Sequence, residues 1–208
     1  QLKNNIILLK SPQNSNDIKI DTIIELSPFY LNSNITLNKQ NVNFLVDELF
    51  FSILNLKPDL LGNVNGDIKF IFNNIEHELV RSGNISLNIS QKTINLIEVL
   101  FNIGEIGQIE SEIKYNEENG DLIFHSLNSL IIKNKKEFAK KFQIKLKKVK
   151  DINVIQFKVE KNINTGLISI FDIKINELLY IDKNKSESRY NIRNSQELKS
   201  LVKNIINS

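Results

Sequence analysis

Residues 82–90 read Ser82-Gly83-Asn84-Ile85-Ser86-Leu87-Asn88-Ile89-Ser90, with Ile85, Leu87 and Ile89 separated by small polar residues. Successive side chains of an extended chain point to opposite sides, so this stretch predicts a strand with one apolar and one polar face. The pattern recurs outward from it. Phe142, Ile144 and Leu146 alternate with Gln143, Lys145 and Lys147, and Ile155, Phe157 and Val159 alternate with Gln156, Lys158 and Glu160. From Gly62 to Asn176 little else is present. The expected fold is mainly β: an elongated, curved antiparallel β-meander, a groove-like sheet, with two or three short helices.

Punctuation by Gly and Asn divides this region into strands at 66–73, 83–90, 93–100, 107–116, 120–126, 129–133, 142–149, 153–160 and 166–176. Asn119-Gly120 is a strong hairpin signal, because both central positions of a type I′ turn need positive φ. Residues 1–43 read as N-terminal short strands at 5–9, 18–26 and 31–37, the continuation of a longer sheet. Residues 44–208 form the main β-sheet region. Within it Leu45, Val46, Leu49, Phe50, Ile53 and Leu54 make a helical stripe, predicting a helix over 44–56 that Pro58 and Gly62 end. Asn194 and Glu197 form an N-terminal capping pair ahead of Leu198, Leu201, Val202 and Ile205, predicting a helix over 195–206. A further helical turn or two is expected over 134–141, with Asn134 as cap and Phe138 packing on Phe142.

The chain of 208 residues is long enough to bury a sizeable core. Asn and Ile each occur roughly thirty times, well above ordinary usage; this reads as a coding bias, so single asparagines carry little functional information. Methionine is absent, even at position 1, and the chain reads as a segment of something longer. Cysteine is absent too, which excludes disulfides, thiolate metal sites and a Cys nucleophile. The net charge of +3 implies no global attraction to nucleic acid or acidic lipid. Locally the charge is uneven: 105–121 is acidic and 133–150 is basic. That split reads either as a solvated polar face with cross-strand ion pairs or as a basic rim that meets anionic headgroups or an acidic partner.

No catalytic constellation is visible. His77 and His125 lack partners at ligand spacing, and no phosphate loop, nucleophile elbow or paired helix carboxylates are present. No enzyme activity, cofactor or metal is expected. Phe70, Phe72, Phe124, Phe142 and Phe157 fall on apolar faces, which argues against base stacking and hence against nucleic acid as a partner.

The runs at 61–70 (LGNVNGDIKF), 82–90, 101–107 (FNIGEIG), 126–142 (SLNSLIIKNKKEFAKKF) and 162–176 (NINTGLISIFDIKIN) resemble the C-terminal region of AsmA-like proteins. These are relatives of the TamB and YhdP envelope proteins of Gram-negative bacteria. The resemblance covers 45–208. It implies a non-enzymatic role in lipid transport and envelope homeostasis, on the periplasmic side of the inner membrane, through an anchor outside this segment. It implies an apolar groove that accommodates phospholipid acyl chains. Lining positions expected from the alternation are Ile68, Phe70, Phe72, Ile85, Leu87, Ile89, Phe142, Ile144, Leu146, Ile155, Phe157 and Val159. A closed β-sandwich would give the same alternation, and that alternative is a structural, adhesin-like or assembly module of the cell surface. Protein partners are not specified by the sequence.

Overall fold

A computed structural model describes residues 2–3, 5–12, 18–38, 65–75, 80–90, 93–118, 121–162, 165, 168–179, 190–192 and 195–207. The fold is mainly β, an open and largely antiparallel meander, with three short helices among the described residues. The chain divides into two compact units, residues 1–102 and 103–208. The helix expected over 44–56, the boundary at 43/44 and His77 lie outside the described residues.

In the first unit the strands are β1 (Leu2–Lys3), β2 (Ile6–Lys10), β3 (Ile18–Leu26), β4 (Phe29–Asn38), β5 (Gly66–Asn73), β6 (Ser82–Ser90) and β7 (Thr93–Asn102). Each lies beside the next in sequence order. All these pairs are antiparallel except β4 and β5, which run parallel from Leu31↔Gly66 to Asn38↔Asn73. A parallel neighbour cannot be reached by a hairpin, which accounts for the long connection between Asn38 and Gly66. The close approach also explains the glycine: a Cβ at Gly66 would lie 2.0 Å from the Leu31 carbonyl oxygen.

The second unit holds β8 (Gly107–Glu118), β9 (Asp121–Ile132), α1 (Lys135–Phe142), α2 (Leu146–Val149), β10 (Val154–Asn162), β11 (Ile168–Ile175), β12 (Leu178–Leu179), β13 (Tyr190–Ile192) and α3 (Ser195–Asn207). Pairing of β8 with β9 runs to Glu118↔Asp121 and so brackets Asn119-Gly120, which lie outside the described residues. The edge of β11 is shared by β12 at its C-terminal end and β13 at its N-terminal end. A bulge displaces the β10–β11 register between Gln156 and Lys158, and Asp172 opposite it has φ 51°. Ile170 and Ile173, which a regular strand would put on opposite faces, are thereby both buried.

Two expectations are corrected. Residues 120–126 and 129–133 form one strand, β9, because the polar run between them is satisfied within the sheet. Buried Asn128 accepts from Ser111 Oγ at 2.7 Å and donates to Ser126 Oγ at 2.9 Å, so it does not need a turn. The strand expected over 142–149 is absent. Phe142 ends α1, Gln143 takes the left-handed C-cap conformation at φ 54°, and Leu146–Val149 is a short helix. The Asn134 side chain accepts from the Lys136 and Glu137 amides and starts α1 where the capping pattern places it. The Phe138 and Phe142 rings then pack one turn apart, with centroids 4.6 Å apart and planes tilted by 30°. Three alternating apolar residues were too few to distinguish a strand from two helical turns joined by a bend. The C-terminal helix stands at Ser195–Asn207, where the spacing predicts one.

The buried apolar side chains of the second unit come from one face of its sheet (Phe124, Leu130, Ile155, Ile170) and from its helices: Phe138 and Phe142 of α1, Val149 of α2, Leu201 and Ile205 of α3. Among the described residues no helix is long and apolar enough to cross a membrane.

Candidate functional site

The register of the first unit aligns its apolar residues into rows that cross the strands. One row runs Leu9, Thr22, Ser33, Ile68, Leu87, Ile97; the next runs Ile20, Ile35, Phe70, Ile85, Val99; a third runs Ile18, Leu37, Phe72. The outermost apolar residue of each row is far more exposed than the innermost. Leu87 is 3% exposed and Leu9 is 47%; Ile85 is 3% and Ile20 is 41%; Phe72 is 0% and Ile18 is 47%. Ile7, Ile24, Leu31 and Ile35 are half-buried on the same face. The apolar face is therefore continuous, buried over β5–β7 and at Thr22 and Ser33, half-buried at Ile7 and Ile24, and exposed at Leu9, Ile18 and Ile20.

The lining positions expected from the sequence divide accordingly. Phe70, Phe72, Ile85, Leu87 and Ile89 are buried, and Ile68 is half-buried. In the second unit Ile155 is buried while Phe157 and Val159 are half-buried. Phe142 and Ile144 are buried in the helical segment, and Leu146 is 51% exposed at the start of α2. Sequence reasoning passed over Leu9, Ile18 and Ile20. Their alternation with Lys10, Lys19 and Asp21 was legible, but periodicity does not say which part of an apolar face stays uncovered.

The opposite face of the first unit is mixed: Leu8 and Ile23, paired across β2 and β3, are 40% and 41% exposed, and the residues over β4–β6 are mostly polar. It carries a cavity of about 520 Å³ whose lining includes Asn32, Asn34, Asp67, Lys69, Asn88 and Glu98. Asp67 accepts hydrogen bonds from the Tyr30 hydroxyl and from Asn88 Nδ2. Both stabilise the carboxylate, the Tyr30 bond more, and they hold its pKa below the usual carboxylate range. The same bond, with a smaller contribution from burial, raises the Tyr30 phenol.

In the second unit the polar face holds a smaller cavity of about 280 Å³, lined in part by Glu112, Lys114, His125, Leu127, Lys158 and Phe171. His125 Nδ1 lies 3.6 Å from Glu160 Oε1, and Lys158 Nζ lies 2.8 Å from Asp172 Oδ2. The Lys158–Asp172 ion pair sits at the bulge in a half-exposed position, where such a pair contributes little to stability. Among the described residues no three His, Asp or Glu side chains are grouped to hold a metal ion. No family model, no curated protein and no solved structure matches this chain.

Proposed function

We propose that this chain is a non-catalytic, lipid-binding segment of an AsmA-like envelope protein. Phospholipid acyl chains lie along the open apolar face of β2 and β3. The observation that carries this reading is the exposure contrast. Leu9, Ile18 and Ile20 stand more than 40% exposed at the outer end of an apolar face that is filled further in. Contiguous exposed apolar surface of several hundred Å² is uncommon on a soluble domain without a partner, and an acyl chain matches an aliphatic strip whose Thr22 and Ser33 hydroxyls are buried and bonded to each other. The resemblance of 45–208 to the AsmA-like C-terminal region supports the lipid class, with the segment on the periplasmic side of the inner membrane and anchored elsewhere.

A second reading is favoured by the inner strands. Phe70, Phe72, Ile85, Leu87, Ile89 and Ile97 are packed as a closed core is, as a structural or assembly module of the cell surface requires.

The two readings separate by photo-crosslinking. A benzophenone amino acid is placed at Leu9, Ile18 or Ile20, and as controls at Lys19 or Asp21 on the opposite face. With phospholipid present, lipid adducts seen by mass spectrometry at the first set alone support the acyl-chain reading. Equal labelling at both sets, or none, supports the structural module.

A further inference from the structure

Residues 133–150 contain nine lysines and one acid, Glu137, a local charge of +8 that leaves −5 on the rest of a chain totalling +3. Had 142–149 been a strand, Lys145 and Lys147 would have shared one polar face. Instead the segment folds as α1, a bend and α2, with Phe138, Ala139, Phe142, Ile144 and Val149 turned into the core. Burying these five positions turns the lysines outward. Seven of the nine are exposed; Lys135 and Lys141 are half-buried. Lys135 is drawn to Asn153 Oδ1 at 2.7 Å, and burial lowers its pKa, so it belongs to the fold more than to the surface. The acid within the segment, Glu137, is occupied by Lys140 at 3.9 Å. Lys148 Nζ donates to the Asn207 carbonyl at 3.2 Å, tying α2 to the end of α3. Among these lysines stands Leu146, 51% exposed and flanked by Lys145 and Lys147.

We propose that this lysine-rich helical ledge, with Leu146 exposed among its cations, docks on an anionic phospholipid surface. The chemistry of the side chains selects that partner. Ammonium groups are point charges on flexible stems, suited to a fluid layer of phosphates; fixed bidentate recognition of a carboxylate or a nucleic-acid phosphate favours Arg. The segment has no Arg. Its two phenylalanines are buried against each other, so no ring is left to stack on a base. An exposed leucine flanked by lysines has the composition of an interfacial anchor, in which the apolar side chain enters the headgroup boundary and the cations stay at phosphate level.

The test uses the full chain and vesicles of phosphatidylcholine with or without phosphatidylglycerol, read by co-sedimentation. Binding is expected to the anionic vesicles only, and to be lost at about 0.5 M salt, where the screening length falls to roughly 4 Å. Each surface lysine near an anionic membrane contributes about fivefold to partitioning. The triple variant Lys145→Gln, Lys147→Gln, Lys150→Gln should therefore bind on the order of a hundredfold more weakly, with an unchanged melting temperature because all three are exposed. Leu146→Ser should lower binding several-fold. Ile18→Ser, on the open apolar face of the first unit, should leave vesicle binding intact, which separates this surface from the acyl-chain site. The proposal is overturned by equal binding to neutral vesicles, by full binding of the triple variant, by loss of binding in Ile18→Ser, or by polyglutamate competing as strongly as anionic vesicles.

Discussion

The hydroxyls of Thr22 on β3 and Ser33 on β4 share a 2.6 Å hydrogen bond, and both residues are 5% exposed on the apolar face. They sit in the row that joins exposed Leu9 to buried Leu87. Two polar groups are tolerated there because each satisfies the other. Removing one should cost more than removing both. Ser33→Ala strands the Thr22 hydroxyl and is expected to lose about 1–3 kcal/mol. The double variant Thr22→Val, Ser33→Ala should recover most of that, as a double-mutant cycle by urea denaturation would show.

Asp67 and Tyr30 give the first unit a pH dependence at both ends of the scale. The folded-state pKa of Asp67 is depressed, so its contribution is present above the ordinary carboxylate value and fades as pH falls through the folded value, below about pH 4. Tyr30 shifts the other way. Its raised pKa makes its contribution complete below about pH 10 and lost as pH rises beyond that. Both groups are largely solvated, so the effects are small. Asp67→Asn should flatten the acid limb of stability against pH and lower the Tyr30 titration midpoint, which ultraviolet absorbance reads by difference against a Tyr30→Phe variant, since the chain has four tyrosines.

Gly66 should not accept a side chain. With an added Cβ 2.0 Å from the Leu31 carbonyl oxygen, a backbone atom in the parallel ladder, β4 and β5 would have to separate. Gly66→Ala is expected to destabilise by on the order of 2–4 kcal/mol. An unchanged denaturation midpoint would contradict the close parallel pairing.

A charge on the apolar face should have opposite consequences at its two ends. Leu87→Asp buries a carboxylate at a position 3% exposed. That costs several kcal/mol against a total stability on the order of 5–15 kcal/mol, and the unit should unfold. Ile144→Asp, at 6% exposed, should do the same in the second unit. Ile20→Asp leaves its carboxylate in water at 41% exposure, so the fold should persist with a melting temperature close to the parent's. Thermal melts of the three variants side by side make the comparison.

The strand faces were legible in the sequence because side-chain alternation is a local property of extended chain. Ile85, Leu87 and Ile89 point inward in the structure as the spacing of 82–90 requires. The Asn134 cap and the C-terminal helix were legible for the same reason, since caps and helical stripes are written within one or two turns. Three features were not. The parallel seating of β5 on β4 depends on Gly66 meeting Leu31 across a long connection. The passage from 142 to 149 became helix because α1 was already capped at Asn134 and its continuation buries Ile144 and Val149 in the core. The open part of the apolar face lies at Leu9, Ile18 and Ile20, whereas alternation marked Phe70, Ile85 and Leu87 equally well. Alternation determines which side of a strand is apolar; only the packing of segments distant in sequence determines whether that side meets protein or solvent, because burial is a property of neighbours that no local window contains.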